Sequence, residues 1–223
     1  MAFRRRSGSP GAPLVTAALF DFGGVILSSP FEAFAHYEAT HGLPAGFLRR
    51  VNATNPDTNA WAQLERNQVS LSEFSALFEE EAAALGGEVS GMDVLGCLRG
   101  ELRPQMVEAV RRCGERLKTG LLTNNVITMR AEEMSGSSDP HVAVLGLFDV
   151  IVESSRVGTR KPDPAFYEQA CTLLDISPSE AVFLDDLGIN LKPARAMGMQ
   201  TIKVDDPDVA IAELEHIVGF PLG

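Results

Sequence analysis

The sequence predicts an α/β protein, a parallel sheet flanked by helices with a small helical segment inserted after the first strand. Three observations carry that expectation. Short apolar runs alternate with segments of helical period from Pro104 to the C-terminal region, the pattern of right-handed crossovers in a parallel sheet. Two of the runs, Leu19-Phe20-Asp21 and Phe183-Leu184-Asp185-Asp186, end on carboxylates where the apolar stretch stops. Buried parallel strands read as continuous apolar runs, and such sheets bind ligands beyond the carboxyl ends of their strands. The third observation is negative: from about Ser28 to Gly100 no strand-like alternation occurs.

Taken in order, Met1 to Pro13 holds Arg4-Arg5-Arg6 and then Ser, Gly and Pro, and it reads as a disordered leader. Its apolar sequel runs straight into Asp21, unlike a signal peptide with a cleavage site. Ala17 to Ile26 reads as the central strand, with Gly23-Gly24 permitting a tight turn close to a ligand. In the following block Ser70-Leu71-Ser72-Glu73 is a capping-box signature, followed by Phe74, Leu77 and Phe78 at helical spacing. Gly86 ends that helix. Pro104 then suits a first helical turn, and Met106 to Cys113 reads as a helix. Beyond it, strands are expected at Thr119–Thr123, Val150–Val152, Ala181–Leu184 and Thr201–Val204. Helices are expected at Ile127–Met134, Pro164–Leu174, Leu191–Met197 and Val209–Val218. The division is therefore a leader at 1–13, an α/β core at 14–27 and 101–223, and a helical cap at 28–100.

With 223 residues, 45 % of them hydrophobic, the chain can bury a sizeable core. A formal net charge of -11 argues against a nucleic-acid or anionic-membrane partner. No apolar run reaches the length of a membrane span. Cys97, Cys113 and Cys171 are widely spaced and show no metal-ligand pattern, which suits a reduced, cytoplasmic protein. Nothing in the sequence specifies an oligomeric state.

The chemistry-bearing residues cluster at strand ends. Asp21, Asp185 and Asp186 would gather three acids that should repel, an oxygen-rich set of the kind a hard cation such as Mg²⁺ requires. Asp21 in that setting is also a candidate nucleophile. Thr123 follows an apolar strand and precedes Asn124-Asn125, where a hydroxyl and backbone N–H groups can hold oxyanions. Lys161, between Arg160 and Pro162, reads by itself either as a solvated loop residue or as a cation that neutralises an anionic ligand, whereas Arg160 reads as a surface residue. Arg49-Arg50 and Arg66 could meet an anionic substrate tail. The histidines stand in no ligand spacing, and Trp61, Phe74 and Phe78 read as core of the helical block.

Four motifs occur in order: Asp21-Phe22-Gly23-Gly24-Val25, Leu122-Thr123-Asn124-Asn125, Lys161-Pro162-Asp163-Pro164 and Asp185-Asp186. On these the chain resembles the haloacid dehalogenase superfamily. The stretch Phe183 to Val204, with Asn190-Leu191-Lys192-Pro193-Ala194-Arg195 inside it, is similar to the N-terminal phosphatase domain of soluble epoxide hydrolase. It is similar also to the phosphatase-like domain fused to some acyl-CoA dehydrogenases. The resemblance implies a Rossmann-like core and Mg²⁺-dependent hydrolysis of a small phosphate substrate through an aspartyl-phosphate on Asp21. It implies phosphate binding by Thr123, with Asn124 and Lys161 beside it. It also implies a Mg²⁺ site built from Asp21, the carbonyl of Gly23, and Asp185 or Asp186, with Asp185 the first candidate. Asn190 would orient the loop of the last motif.

One departure stands out. Most phosphatases of the superfamily carry a second Asp, an acid and base, where this chain has Gly23. Losing such a group costs about 10²- to 10⁴-fold in rate. That leaves open a slow enzyme, a substrate whose leaving group needs little protonation (an acyl or anomeric phosphate), or a replacement from the helical block or water. It also leaves open a 2-haloacid dehalogenase, since halide leaves without a proton, and a weakly active phosphate-binding or interaction module.

Overall fold

The computed structural model describes residues 15–124 and 140–223. Its centre is a parallel five-stranded sheet of β1 (Ala17–Phe20), β2 (Lys118–Thr123), β3 (Val150–Glu153), β4 (Ala181–Asp185) and β5 (Gln200–Lys203). The spatial order is β3-β2-β1-β4-β5. Phe20 stands level with Leu121 on one side and Leu184 on the other. That register brings the last residues of three neighbouring strands to one edge.

β1 is shorter than the apolar run Ala17 to Ile26 suggests. After Phe20 the chain leaves the sheet, and Phe22–Ile26 coils into a single turn that Asp21 caps. Gly24 adopts a φ of +75°, which only a residue without Cβ takes at no strain. Phe22, Val25 and Ile26 are buried all the same. An apolar run reports burial, and extended and coiled backbone satisfy it equally.

Between this turn and the next core helix lie α1 (Pro30–Thr40), α2 (Phe47–Ala53), α3 (Ala60–Glu65), α4 (Leu71–Ala84) and α5 (Gly91–Gly96). The capping box at α4 forms as expected: Ser70 N donates to Glu73 Oε2 at 2.8 Å and Glu73 N to Ser70 Oγ at 3.3 Å. These helices bury their own cluster, with Phe34, Phe47, Leu48, Phe74, Phe78 and Leu95 at its heart. Trp61 packs edge-on against Phe74 at 4.7 Å, and Phe74 stacks on Phe78 at 5.5 Å. The two connections to the core run side by side. Leu27 and Leu102 form an antiparallel bridge, and Ser28 N donates to Glu101 O at 2.7 Å.

The remaining helices are α6 (Pro104–Gly114), α7 (Pro140–Leu145), α8 (Ser154–Val157), α9 (Pro164–Leu174), α10 (Gly188–Ala196) and α11 (Pro207–Val218). Side chains alternate along a strand, so each strand feeds two faces. Ala18, Phe20, Val182 and Leu184 point to a layer containing Met106 and Val110 of α6 and Leu214 of α11. Leu19, Leu122 and Phe183 point to the opposite layer, against Phe166 and Tyr167 of α9 and Leu191 of α10. Both faces are covered, as a parallel sheet requires.

The leader at 1–13 and the helix expected at Ile127–Met134 lie outside the described residues. Helix α10 begins at Gly188, a turn earlier than the apolar spacing indicates. Among the described residues no helix is long and apolar enough to cross a membrane.

Candidate active site

Asp21 directly follows β1, Thr123 ends β2, and Asp185 ends β4, so the sheet itself assembles the site. One Asp21 oxygen, Oδ1, accepts from Phe22 N at 2.7 Å, the bond that starts the following turn. The other, Oδ2, lies 2.9 Å from Lys161 Nζ. The same ammonium donates to Asp185 Oδ2 at 2.7 Å. Lys161 is 1 % exposed and Asp185 is fully buried. A lysine without solvent, between two carboxylates, is a fixed charge rather than a surface one.

The rest of the array holds these three in register. Asn190, in the first turn of α10, donates from Nδ2 to both Asp185 oxygens, at 3.0 and 3.1 Å. Leu187 N donates to Asp185 Oδ1 at 2.8 Å. Tyr167 on α9 donates its hydroxyl to Asn190 O at 2.7 Å. Asn124 reaches across to the Lys161 main chain: its Nδ2 donates to Lys161 O at 3.0 Å and its Oδ1 accepts from Lys161 N at 2.9 Å. Asn124 thus grips the segment that carries the lysine.

Asp21, Asp185 and Asp186 each offer an oxygen within 4.8 Å of the other two. Burial pushes the Asp21 carboxyl up to about 8, opposed by Lys161 and reinforced by Asp185 and Asp186. Burial likewise lifts Asp186 to about 6, with Asp185 adding to it. Burial alone would lower the Lys161 ammonium, but Asp185 and Asp21 hold it above its ordinary value. Asp186 lies against Gly24, where any Cβ would stand 2.3 Å from its Oδ2. Gly24 is therefore required twice, by its φ and by this approach. Gly23 has φ -69° and ψ 132°, a conformation open to any residue, so backbone geometry does not demand its glycine.

Thr123 is fully buried and stands level with the fully buried Glu153 at the end of β3. The structure therefore brings Asp21, Thr123, Lys161, Asp185 and Asp186 to one edge, with Asn124 and Asn190 as their supports.

One arginine departs from its sequence reading. Arg160 is not a surface residue: its side chain is 16 % exposed, and its Nη1 pairs with Glu65 of α3, itself 18 % exposed. Its Nη2 donates to Pro56 O at 2.8 Å. Burial raises the Glu65 carboxyl to about 7, against the pull of Arg160, Lys161 and Arg66. Arg66 donates to the carbonyls of Asp57 and Ala62, while Arg49 and Arg50 lie over the rings of Phe31 and Phe47. Arg103 was not singled out in the sequence. Its Nη1 donates to Gly24 O at 2.8 Å and braces the turn after Asp21. Only a neighbouring Pro104 marks it in the sequence, and that signals a helix start.

The family model for haloacid dehalogenase-like hydrolases matches residues 15–198. The chain belongs to this family. Among curated members, it is 34 % identical over 212 residues to acyl-CoA dehydrogenase family member 10 of Mus musculus, covering 92 % of this chain and 19 % of that protein. It is 32 % identical over 224 residues to bifunctional epoxide hydrolase 2 of Sus scrofa, covering 92 % of this chain and 39 % of that protein. The chain thus spans well under half the length of these two relatives. A phosphatase of Mycobacterium tuberculosis is similar along most of both chains, with 29 % identity, 86 % of this chain and 88 % of the other. An enzyme of the family from Bacteroides thetaiotaomicron, solved with magnesium and inorganic phosphate, shares the fold. Its TM-score is 0.59 at 20 % identity, over 85 % of this chain and 93 % of that one. This chain is accordingly a member of the haloacid dehalogenase-like hydrolase family, with a phosphatase among its relatives.

Proposed function

We propose that the chain is a Mg²⁺-dependent phosphohydrolase that acts on a small phosphate monoester or anhydride through an aspartyl-phosphate on Asp21. The observation that carries this reading is the buried Lys161 ammonium, 2.9 Å from Asp21 and 2.7 Å from Asp185. A cation held there lets a dianionic phosphoryl group approach a carboxylate nucleophile that would otherwise repel it. The M. tuberculosis phosphatase supports the substrate class.

In the first step an Asp21 oxygen forms a bond to phosphorus as the bond to the leaving oxygen breaks. In the second, water attacks phosphorus, the Asp21–phosphorus bond breaks, and inorganic phosphate and the free carboxylate return. Lys161 and Thr123 hold the phosphoryl oxygens. Asn124 acts through its two bonds to the Lys161 main chain. Gly23 offers no side-chain proton, which favours leaving groups that depart as stable anions, acyl phosphates above all.

The donor set fits Mg²⁺: three carboxylates whose oxygens lie within 4.8 Å of one another, all hard ligands. Burial disfavours the ionised forms of Asp21 and Asp186, a penalty that a cation would relieve. Asp21, the Gly23 carbonyl and Asp186 would hold the ion. Asp185 accepts four hydrogen bonds from Lys161, Asn190 and Leu187, so we assign it to orienting Lys161. When bound, the ion supplies positive charge to the phosphoryl oxygens. We further assign residues 28–100 to a cap that closes over this edge and limits water access.

The test is phosphate release from acetyl phosphate, para-nitrophenyl phosphate and an alkyl phosphate, with Mg²⁺ and with EDTA, in the wild type and Asp21→Asn. The expected result is metal-dependent turnover, strongest on acetyl phosphate, that falls about 10⁴-fold or more in the variant. Activity retained by Asp21→Asn would remove it as the nucleophile. Gly23 also suits a 2-haloacid dehalogenase, and chloride release from 2-chloropropionate in place of phosphate release would favour that reading.

A further inference from the structure

The insertion is tied to the core at one side by its two adjacent connections, where Leu27 pairs with Leu102 and Arg103 N donates to Ile26 O at 2.9 Å. Such a two-strand ribbon can flex about its own line. Away from it, among the described residues, a single ion pair spans core and insertion: Arg160 of the core with Glu65 at the end of α3. The Arg160 fork also reaches Pro56 O, in the loop before α3. Two acceptors on separate pieces of the insertion fix the guanidinium plane as one acceptor would not. Both side chains are less than a fifth exposed, which sets this pair apart from the exposed Arg111–Glu108 pair on α6 and makes it more than a screened surface contact.

Arg160 is also the residue before Lys161. Its side chain turns to the insertion, and the next one turns to Asp21 and Asp185. The lysine's main chain is gripped by Asn124, so the segment between the two side chains has little slack. One peptide unit therefore joins the contact with Glu65 to the lysine between the two acids.

We propose that Arg160 and Glu65 form the latch that seats the helical insertion over the acid cluster, with Arg160 acting as a positioning residue for Lys161. This rests on the phosphohydrolase reading above. It goes beyond it in naming what registers insertion against core. Opening the insertion to admit substrate breaks the pair, and closing it re-forms the pair and returns Lys161 to its place between the two acids.

The chain's one tryptophan, Trp61, sits a turn before Glu65 on α3, so its fluorescence reads the latch without any turnover. The experiment compares the wild type, Arg160→Met, Arg160→Lys, Glu65→Gln and the exchanged pair Glu65→Arg/Arg160→Glu. Each is measured for kcat and KM on acetyl phosphate, acrylamide quenching of Trp61, and thermal midpoint. Arg160→Lys keeps the charge and removes only the fork, which covers the case in which Arg160→Met does not fold. The latch predicts a fall in kcat/KM of about 10- to 100-fold, the effect of a displaced catalytic group. It predicts stronger Trp61 quenching in the single variants and partial recovery of both in the exchanged pair. Wild-type KM and quenching in Arg160→Lys and Glu65→Gln would overturn it, as would a lowered thermal midpoint with both kinetic constants unchanged. If the wild type released no more phosphate than Asp21→Asn, the phosphohydrolase reading would fall, while the quenching comparison would still decide the latch.

Discussion

The sheet edge and the helical insertion solve opposite problems. At the edge, buried groups are charged or polar, and the two acids are held by named partners: Asp21 by Phe22 N and Lys161, Asp185 by Lys161, Asn190 and Leu187. In the insertion the buried groups are mostly apolar, with Phe74 stacked on Phe78 among aliphatic neighbours and the partly buried Trp61 edge-on to both. Its buried charge Glu38 holds backbone, accepting from Gly46 N at 2.7 Å and Leu48 N at 2.9 Å. The edge is specified by electrostatics in low dielectric, where one lost partner leaves an uncompensated charge. The insertion is specified by shape, where the same helices tolerate many fillings. On the proposed reading, chemistry rests on a few residues of the edge, and the insertion is the region open to adaptation.

The sharpest way to break that contrast is Lys161→Met. It removes the shared cation from two buried acids, so the expected loss is about 3–5 kcal/mol in urea unfolding without metal, together with turnover. A variant as stable as the wild type would mean the edge is not held by its charges. Phe78→Ala should also cost about 3–5 kcal/mol, through the cavity it leaves in the insertion. Its expected signature is different: Mg²⁺ dependence retained, with the change in KM. If Phe78→Ala abolished turnover as fully as Lys161→Met, insertion and edge would not be separable.

The smallest effect lies where the two regions meet. Glu65 has a folded pKa near 7 against an ordinary 4.5, raised by burial and opposed by Arg160, Lys161 and Arg66. Between those values the folded chain keeps a proton that the unfolded chain releases. The stabilisation is full below about 4.5 and is lost as pH rises through about 7. Glu65→Gln should flatten the wild-type decline between pH 5 and 7.5, by part of the ~1.4 kcal/mol per pH unit that one whole proton gives. An unchanged slope in denaturation midpoints would show that Glu65 is not the group titrating there.

Much of the fold was legible because periodicity is a local property. The span Pro164–Leu174 has its Pro at the start and its apolar residues on one face, and it is a helix over those same residues. The capping box at Ser70 required no knowledge of the rest of the chain. β1 is shorter than its apolar run because Val25 and Ile26 are apolar for the sake of the core, and burial does not prescribe backbone shape. Likewise Arg160 reads as a surface residue, since nothing near it in sequence names a partner. Arg160 finds Glu65 ninety-five residues away.

By itself the sequence determined the alternation of strands and helices, the acids at two strand ends, and the motif order that marks the family, because each is written in neighbouring residues. Only the tertiary structure decided that Asn124 grips the Lys161 main chain, that Asn190 and Leu187 occupy Asp185 while Asp186 lies against Gly24, and that Arg160 crosses to the insertion. These depend on which residues two packed surfaces bring within about 3 Å, a distance set by strand register and layer packing rather than by separation along the chain.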